Sequence, residues 1–338
     1  MNVLGIETSC DETSVSVVRD GSEVLSNAVS SSEKFHKIYG GIVPEIASRM
    51  QLEAITAVSD LAIKEGAIML KNIDLITVTS GPGLFGSLLI GISFAKALSA
   101  SLDIPILGVN HVHSHIYANF LNGAGVKLPF VALVVSGGHT SLFYVKDFDK
   151  IETLGETQDD ACGEAFDKVA KILGLGYPGG PHIEKMALRG NPEKFKFRCS
   201  GTKGALNFSF SGIKTAVLYY LRDTGYGIGD TGYGIRYPLP LLKDVAASFQ
   251  ETVIDALIRK SLLACSLKKV NRLVVGGGVV ANNRMRERFY EAAKDSGFKC
   301  WFPAKEFCMD NAAMVAGFGY QLFKKGKVSG LGLSAQLN

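Results

Sequence analysis

Two stretches of this chain, 127 residues apart, share one layout: strand, short polar turn, strand. Val3-Leu4-Gly5-Ile6 opens the first strand, Thr8 to Thr13 forms its turn, and Ser14 to Val18 is the hairpin partner. Phe130 to Val135, Ser136 to Thr140 and Ser141 to Val145 repeat the pattern, with Ser9 falling on Ser136, Thr13 on Thr140 and Ser14 on Ser141. Such a pair points to a duplicated fold unit, each half opening with a hairpin whose turn faces a shared cleft. The length of 338 residues suits two domains at roughly 100–200 residues each. A hydrophobic content of 47% with 20% charged residues excludes an intrinsically disordered chain.

Glycine is abundant, 38 residues against 10 prolines, without a collagen period, so many tight turns or close backbone approaches are expected. Two strand-to-helix junctions concentrate them. Leu75 to Thr79 runs into Ser80-Gly81-Pro82-Gly83-Leu84-Phe85-Gly86-Ser87 and a helix to about Ala100; Leu273-Val274-Val275 runs into Gly276-Gly277-Gly278 and a helix carrying Arg284, Arg286 and Arg288. Free N–H groups at a helix start suit a phosphate. Neither junction is a Walker A loop or a clean dinucleotide fingerprint. Plain tight turns remain the alternative. Asp223 to Ile228 recurs as Asp230 to Ile235, a local repeat before a helix over about Asp244 to Ala264, and it carries no functional assignment.

The N-terminal residues lack a basic region followed by an apolar core, so no secretory signal is expected. No run of about 18 apolar residues occurs, so no membrane span is expected. The six cysteines are scattered without a CxxC pair, which fits buried thiols in a reducing cytoplasm better than a disulfide framework or a cysteine zinc site. Cys10 stands apart because it lies in the first turn.

His111-Val112-His113-Ser114-His115 holds three of the six histidines. On a helix, His111 and His115 share one face and can grip one metal ion, while His113 points elsewhere. A zincin protease would need Glu at the position of Val112. A third ligand must come from far away, and Asp310, before the small-residue stretch Ala312 to Gly317, is the candidate. A simple histidine cluster and a helix N-cap are the structural alternatives.

Two further stretches are charged. Thr157 to Lys168 reads as a helix start with acidic capping, but Asp167 is too far along for a cap and needs a ligand hydroxyl or ammonium. Tyr177-Pro178-Gly179-Gly180-Pro181 follows as a rigid turn in which Gly180 can lie flat against a ring. From Lys185 to Lys214 there are seven basic residues (Lys185, Arg189, Lys194, Lys196, Arg198, Lys203 and Lys214) and one acid, Glu193, a balance of +6 where the whole chain carries +4. Phe195, Phe197, Phe208 and Phe210 are interleaved. Phosphate pairing with base stacking on RNA, or a solvated basic face over core phenylalanines, would each produce this pattern.

The segments GIETSCDETS, YGGIVPEIASR, GPGLFGSLLIG, HVHSH, VSGGHTSL, DDACGEAFDKVAK, GYPGGP, FSFSGIKT, GGGVVANNRMR and CMDNAAM, in order from Gly5 to Met314, resemble the TsaD family. That family was formerly called Gcp or O-sialoglycoprotein endopeptidase, and its archaeal and eukaryotic counterpart is Kae. The resemblance implies an α/β fold of two ribonuclease-H-like halves around a nucleotide cleft, as in actin, Hsp70 and sugar kinases. The domains expected are 1–122 with 309–338, and 123–308. The implied reaction moves threonylcarbamoyl from threonylcarbamoyl-adenylate to the exocyclic amine of the adenosine beside the anticodon in tRNAs reading ANN codons, releasing AMP.

The resemblance carries metal ligation to His111, His115 and Asp310, with iron ranked ahead of zinc as the one divalent ion. It carries nucleotide and acyl contacts to Val135, Ser136, Gly137, Gly138, His139, Asp167, Gly180, Glu184 and Asn282; Glu184 stands where the family often has Asp. It implies a TsaB-like paralogue as heterodimer partner, a TsaE-like ATPase, no membrane partner and a cytoplasmic location. Exocyclic adenine nitrogen is a poor nucleophile, so Asp11 and Glu12 in the first hairpin are the candidates for a base. A metalloprotease lacks its glutamate here, a small-molecule kinase has no use for HVHSH, and a scaffold has no need of metal ligands.

Overall fold

The chain is described by a computed structural model covering every residue except 124, 224–237, 337 and 338. From residue 224 onward the short repeat noted above lies outside the described residues. Two compact units form, one from residues 1–128, 146–150 and 303–338, the other from 129–145 and 151–302.

In the first unit β1 (Asn2–Glu7) pairs antiparallel with β2 (Glu12–Arg19), Ile6 opposite Val15, and β2 pairs antiparallel with β3 (Glu23–Ser31). After α1 (Glu33–His36) and α2 (Pro44–Glu65), β4 (Leu75–Gly81) returns parallel to β1. After α3 (Phe85–Leu102), β5 (Ile106–Asn110) lies parallel to β4 and leads into α4 (His111–Tyr117). The strand order is β3-β2-β1-β4-β5. Every residue of β4 is buried, as expected of a parallel strand covered on both faces. Leu4 and Ile6 join the core beneath α2 and α3 with Val15, Val17, Ile76, Val78, Leu88 and Ile92.

The second unit begins with β6 (Phe130–Val135) antiparallel to β7 (Thr140–Asp147), Val134 opposite Ser141, followed by β8 (Lys150–Glu156). Among the described residues the helices α5 (Cys162–Ile172), α6 (Gly179–Ala187), α7 (Ser211–Asp223) and α8 (Leu239–Lys268) come next. Then β9 (Arg272–Gly276) lies parallel to β6, α9 (Asn283–Asp295) follows, and β10 (Lys299–Trp301) lies parallel to β9. The order is β8-β7-β6-β9-β10, strand for strand the order of the first sheet. The duplication expected from the two turns is therefore carried through all five strands of each half. Helix α10 (Ala312–Lys324) returns to the first unit and packs on β1. Gly5 makes this possible, since a Cβ there would collide with the Ala312 carbonyl and lie 2.9 Å from the Ala316 Cβ.

Helix α3 is, among the described residues, long and apolar enough to cross a membrane by length and composition. Its serines and glycines hide this in a search for an unbroken apolar run. Ser87, Leu88, Gly91, Ile92, Ala95 and Ser99 form a buried stripe at helical spacing, and Leu88, Ile92 and Ala95 belong to the first unit's core.

Candidate functional site

The histidine segment is a helix, the condition under which His111 and His115 share a face: α4 starts at His111, and the Asn110 side chain caps it by accepting from the His113 N–H at 3.0 Å. His111 and His115 stand on one face with ring centroids 4.7 Å apart. His113 points away, its ring edge 6.2 Å from Phe318, and burial pulls its pKa down to about 4. Asp310 arrives from the turn before α10. The cap of α10 is Asn311, whose side chain accepts from the Met314 N–H at 3.1 Å, so Asp310 does not serve as that cap. Its Oδ1 lies 3.1 Å from His115 Nε2 and 3.6 Å from His111 Nε2. One ligand atom from each of the three residues falls within 4.8 Å of the others.

This arrangement suits a metal better than it suits a hydrogen-bonded cluster. His115 is 1% exposed, yet neither ring nitrogen has a hydrogen-bond partner. An unpartnered buried polar group costs about 1–3 kcal/mol. The short distance to Asp310 without hydrogen-bond alignment is what two ligands aimed at a common point show. The donor set, two imidazoles and a carboxylate, fits zinc or iron.

Carboxylates crowd this site. In the metal-free site burial lowers the pKa of His111, but the Asp310 and Glu7 carboxylates outweigh it and bring the value up to about 9, so a metal must displace the Nε2 proton to bind there. Burial, then Asp310 and Asp11, push the Glu12 carboxyl well above the carboxylate range. Burial and the same acids push the Cys10 thiol up, so it is no ready thiolate. A carboxyl with a raised folded pKa holds its proton more tightly folded than unfolded. Its contribution is favourable at low pH and is lost as pH rises from the ordinary value of 4.5 through the raised one. Glu12→Gln is therefore expected to raise the Tm of the metal-free protein at pH 8 and leave it unchanged at pH 4, as calorimetry would show; a lower Tm at pH 8 would contradict this electrostatic account.

The turn bearing Asp11 and Glu12 is held by its carbonyls. The Gln51 amide of α2 donates to Cys10 O at 3.0 Å and Glu12 O at 2.9 Å, Ser87 Oγ of α3 donates to Cys10 O at 3.3 Å, and Ser32 Oγ donates to Asp11 O at 2.8 Å. Sequence reasoning gave Gln51, Ser32 and Ser87 no role in holding this turn, and it assigned none to Glu7. The local signals for Glu7 are its place in the GIETSCDETS segment and an acid ending an apolar strand.

In the second unit the turn after β6 is closed by Ser136 N–H to His139 O at 2.8 Å and His139 N–H to Ser136 Oγ at 3.1 Å. Val135 is buried at the strand end, whereas Gly137 and Gly138 are exposed with open space where a Cβ would go. Asp167 accepts from the Gly179 N–H at 2.6 Å, and burial raises its pKa. Gly180 is open beside it. Glu184 and Asn282 each act at the start of α9: Glu184 Oε1 accepts from the Asn283 backbone at 2.7 Å, and Asn282 caps the helix through the Met285 N–H at 2.9 Å while donating to Gln250 at 2.8 Å. The Asn282 side chain is thus committed to capping. A cavity of about 430 Å³ lies alongside, lined by Pro181, Glu184, Leu188, Gln250, Asn283 and Arg284 among others.

The basic stretch divides into core and surface. Phe208 and Phe210 are 1% and 0% exposed and cannot stack on a base. Phe195 and Phe197 are half-buried, and Phe195 packs 4.5 Å from the Tyr220 ring. Lys194, Lys196 and Arg198 alternate with them and are exposed. Lys214 is drawn into a pair with Asp160 at 3.1 Å.

Comparison with known proteins first defines the class. HypF, solved in a phosphate- and nucleotide-bound form, aligns over 96% of this chain with a TM-score of 0.62 at 14% identity, and the chain spans about half of it, 46%. Component A of (R)-2-hydroxyglutaryl-CoA dehydratase from Acidaminococcus fermentans aligns over 97% of this chain and 100% of its own with a TM-score of 0.54 at 13% identity. The chain shares this two-sheet α/β fold; at such identities the likeness extends to fold alone.

The family follows from sequence. The TsaD model, described as tRNA N6-adenosine threonylcarbamoyltransferase, matches residues 23–317. The protein of that name from Thermodesulfovibrio yellowstonii is 52% identical over 336 residues, 99% of this chain and 98% of its own. The one from Thermosipho africanus is 49% identical over 339 aligned positions, 100% of this chain and 99% of its own. The chain belongs to the TsaD family of tRNA N6-adenosine threonylcarbamoyltransferases.

Proposed function

We propose that this chain transfers the threonylcarbamoyl group of threonylcarbamoyl-adenylate to the exocyclic amine of the adenosine next to the anticodon in tRNAs reading ANN codons. The observation that carries this is full-length identity of 52% to a relative of that activity, with the His111, His115 and Asp310 ligand atoms drawn together. The amine nitrogen bonds to the carbamoyl carbon, the bond from that carbon to the phosphate oxygen breaks, AMP leaves, and the amine loses a proton. The donor is a mixed anhydride, so the leaving group is already good, and the protein's work is alignment, proton removal and exclusion of water.

His111, His115 and Asp310 would hold one divalent ion, iron ahead of zinc. Such an ion supplies Lewis-acid polarisation of an acyl or phosphoryl oxygen. The open Gly137-Gly138 turn, with Val135, Ser136 and His139 framing it, offers backbone N–H groups for the adenylate phosphate. Asp167, Gly180 and Glu184 would receive the ribose and base, with Asn282 acting through the start of α9. Asp11 and Glu12, in the turn of the first hairpin, remain the bases assigned. The deciding test combines adenylate, unmodified tRNA and this protein with metal loaded, with and without a TsaB-like partner, and reads the modified nucleoside by mass. No product in any combination would defeat the assignment.

Exposed Lys194, Lys196 and Arg198, which form no ion pair with another described residue, are the surface we assign to the tRNA backbone. Replacing all three by alanine is expected to weaken tRNA binding about 10–100-fold and to flatten the slope of log affinity against log salt by about 2–3. Adenylate binding and Tm should not change. An unchanged salt slope would remove this surface from the tRNA path. A TsaB-like paralogue and a TsaE-like ATPase are the proposed partners, and the exposed apolar side chains Leu52 of α2 and Phe85 and Leu89 of α3 suit the first of them.

A further inference from the structure

Glu7 is the last residue of β1 and is 0% exposed. A carboxylate so far from water persists only where donors replace the water it lost. Oε1 accepts from the Ser9 backbone N–H at 2.6 Å; Oε2 accepts from Thr79 Oγ1 at 2.6 Å and lies 3.0 Å from His111 Nδ1. Ser9 Oγ stands 3.1 Å from the same ring nitrogen. Both Ser9 and Thr79 are themselves buried, at 2% and 0%. The Nδ1 edge of His111 is therefore closed by two oxygens, while its Nε2 edge faces Asp310.

We infer that Glu7 is a positioning residue of the metal centre, fixing the ring and tautomer of His111 so that Nε2 presents its lone pair to a cation shared with His115 and Asp310. The inference rests on the assignment of that triad as a metal site. Glu7 cannot itself ligate an ion held by His111 Nε2, because it lies against the opposite edge of the ring. A carboxylate behind a metal-bound imidazole accepts the second N–H, locks the rotation of the ring and raises its basicity.

The backbone makes this arrangement selective between carboxylate and amide. The Ser9 N–H cannot turn away, so in Glu7→Gln the amide oxygen must take the Oε1 position and the NH2 must face His111 Nδ1. Nδ1 then loses the carboxylate that held its proton and faces an N–H instead, leaving Ser9 Oγ as the acceptor beside it, so the balance shifts toward the tautomer with the proton on Nε2, where it blocks the metal. The substitution conserves volume and shape yet favours the wrong tautomer.

The test uses the full chain with Co2+ as probe. Native protein and Glu7→Gln are titrated with Co2+ against a chromophoric chelator, and the Tm of each metal-free form is recorded. Glu7→Gln is expected to bind Co2+ about 10–100-fold more weakly. A merely structural role would lower the metal-free Tm and leave affinity intact. Affinities within twofold of each other would overturn the role of Glu7 while leaving the metal site standing; failure of the native protein to bind Co2+ would overturn the metal assignment itself. Proton NMR of the native Co2+ form supplies a check that needs no folded variant. A hyperfine-shifted exchangeable proton, slow to exchange with solvent, is expected from His111 Nδ1–H, and absence of that resonance would also defeat the inference.

Discussion

His115→Ala is expected to abolish metal binding and threonylcarbamoyl transfer together while leaving the metal-free protein folded. His115 is the most telling position because its two ring nitrogens are buried without hydrogen bonds. Removing the ring takes away packing, but it also relieves unsatisfied polar atoms, so the metal-free Tm should move little. A metal at about 1,000 times its Kd stabilises the native protein by about 4 kcal/mol. For units of this size that corresponds to a Tm rise of about 8–16 °C. The variant should show none of that rise, and its metal affinity should fall by more than the roughly 10–100-fold typical of an outer-shell partner. Differential scanning calorimetry with and without metal, beside the nucleoside mass assay, checks both halves. Full transfer by a variant that holds no metal would remove the metal from the reaction.

The second large effect belongs to the other unit. Gly277 follows β9 with φ of +97°, and a Cβ there would collide with the Val135 carbonyl at the end of β6. Backbone of this kind costs a side-chain-bearing residue about 1–3 kcal/mol before any collision is counted. Gly277→Ala is expected to cost about 3 kcal/mol or more in total and to lower Tm by about 6–12 °C. It should also weaken adenylate binding, because Val135 leads directly into the Gly137-Gly138 turn. Gly137→Ala is the contrast: a Cβ there meets nothing within 4 Å. It should leave Tm within about 1 °C and act, if at all, on donor binding. Equal thermal losses in the two variants would contradict this division between a close-packed glycine and an open one.

Much of the fold is legible in local pattern. The two strand–turn–strand segments signal a duplication because hairpins depend on neighbours in sequence, and the common strand order extends that duplication to both sheets. The His111 and His115 pair is legible for the same reason, since i and i+4 share a helix face whatever surrounds them. Helix α3 shows the limit of composition: it is long and apolar enough to cross a membrane, yet one of its faces supplies Leu88, Ile92 and Ala95 to the core of the first unit.

Distance along the chain decides what local pattern could not reach. Spacing alone left Asp310 as a possible cap of α10, and only the family resemblance pointed it toward a metal; the structure gives that cap to Asn311 and sets Asp310 beside two histidines almost two hundred positions away. The phenylalanines of the basic stretch could have stacked on RNA until Phe208 and Phe210 proved to be core. Glu7 lies within the GIETSCDETS segment, but that pattern gives it no role; its meaning lies in Ser9, Thr79 and His111, which β1, β4 and α4 bring together. The sequence by itself determined the repeated hairpins, the helix-borne histidine pair and the family, all of which depend on residues close in the chain or on matched order. The tertiary structure alone decided which carboxylate stands behind the histidines and which donors hold it there, because burial and hydrogen bonding are set by residues that meet only when the sheet and its helices close.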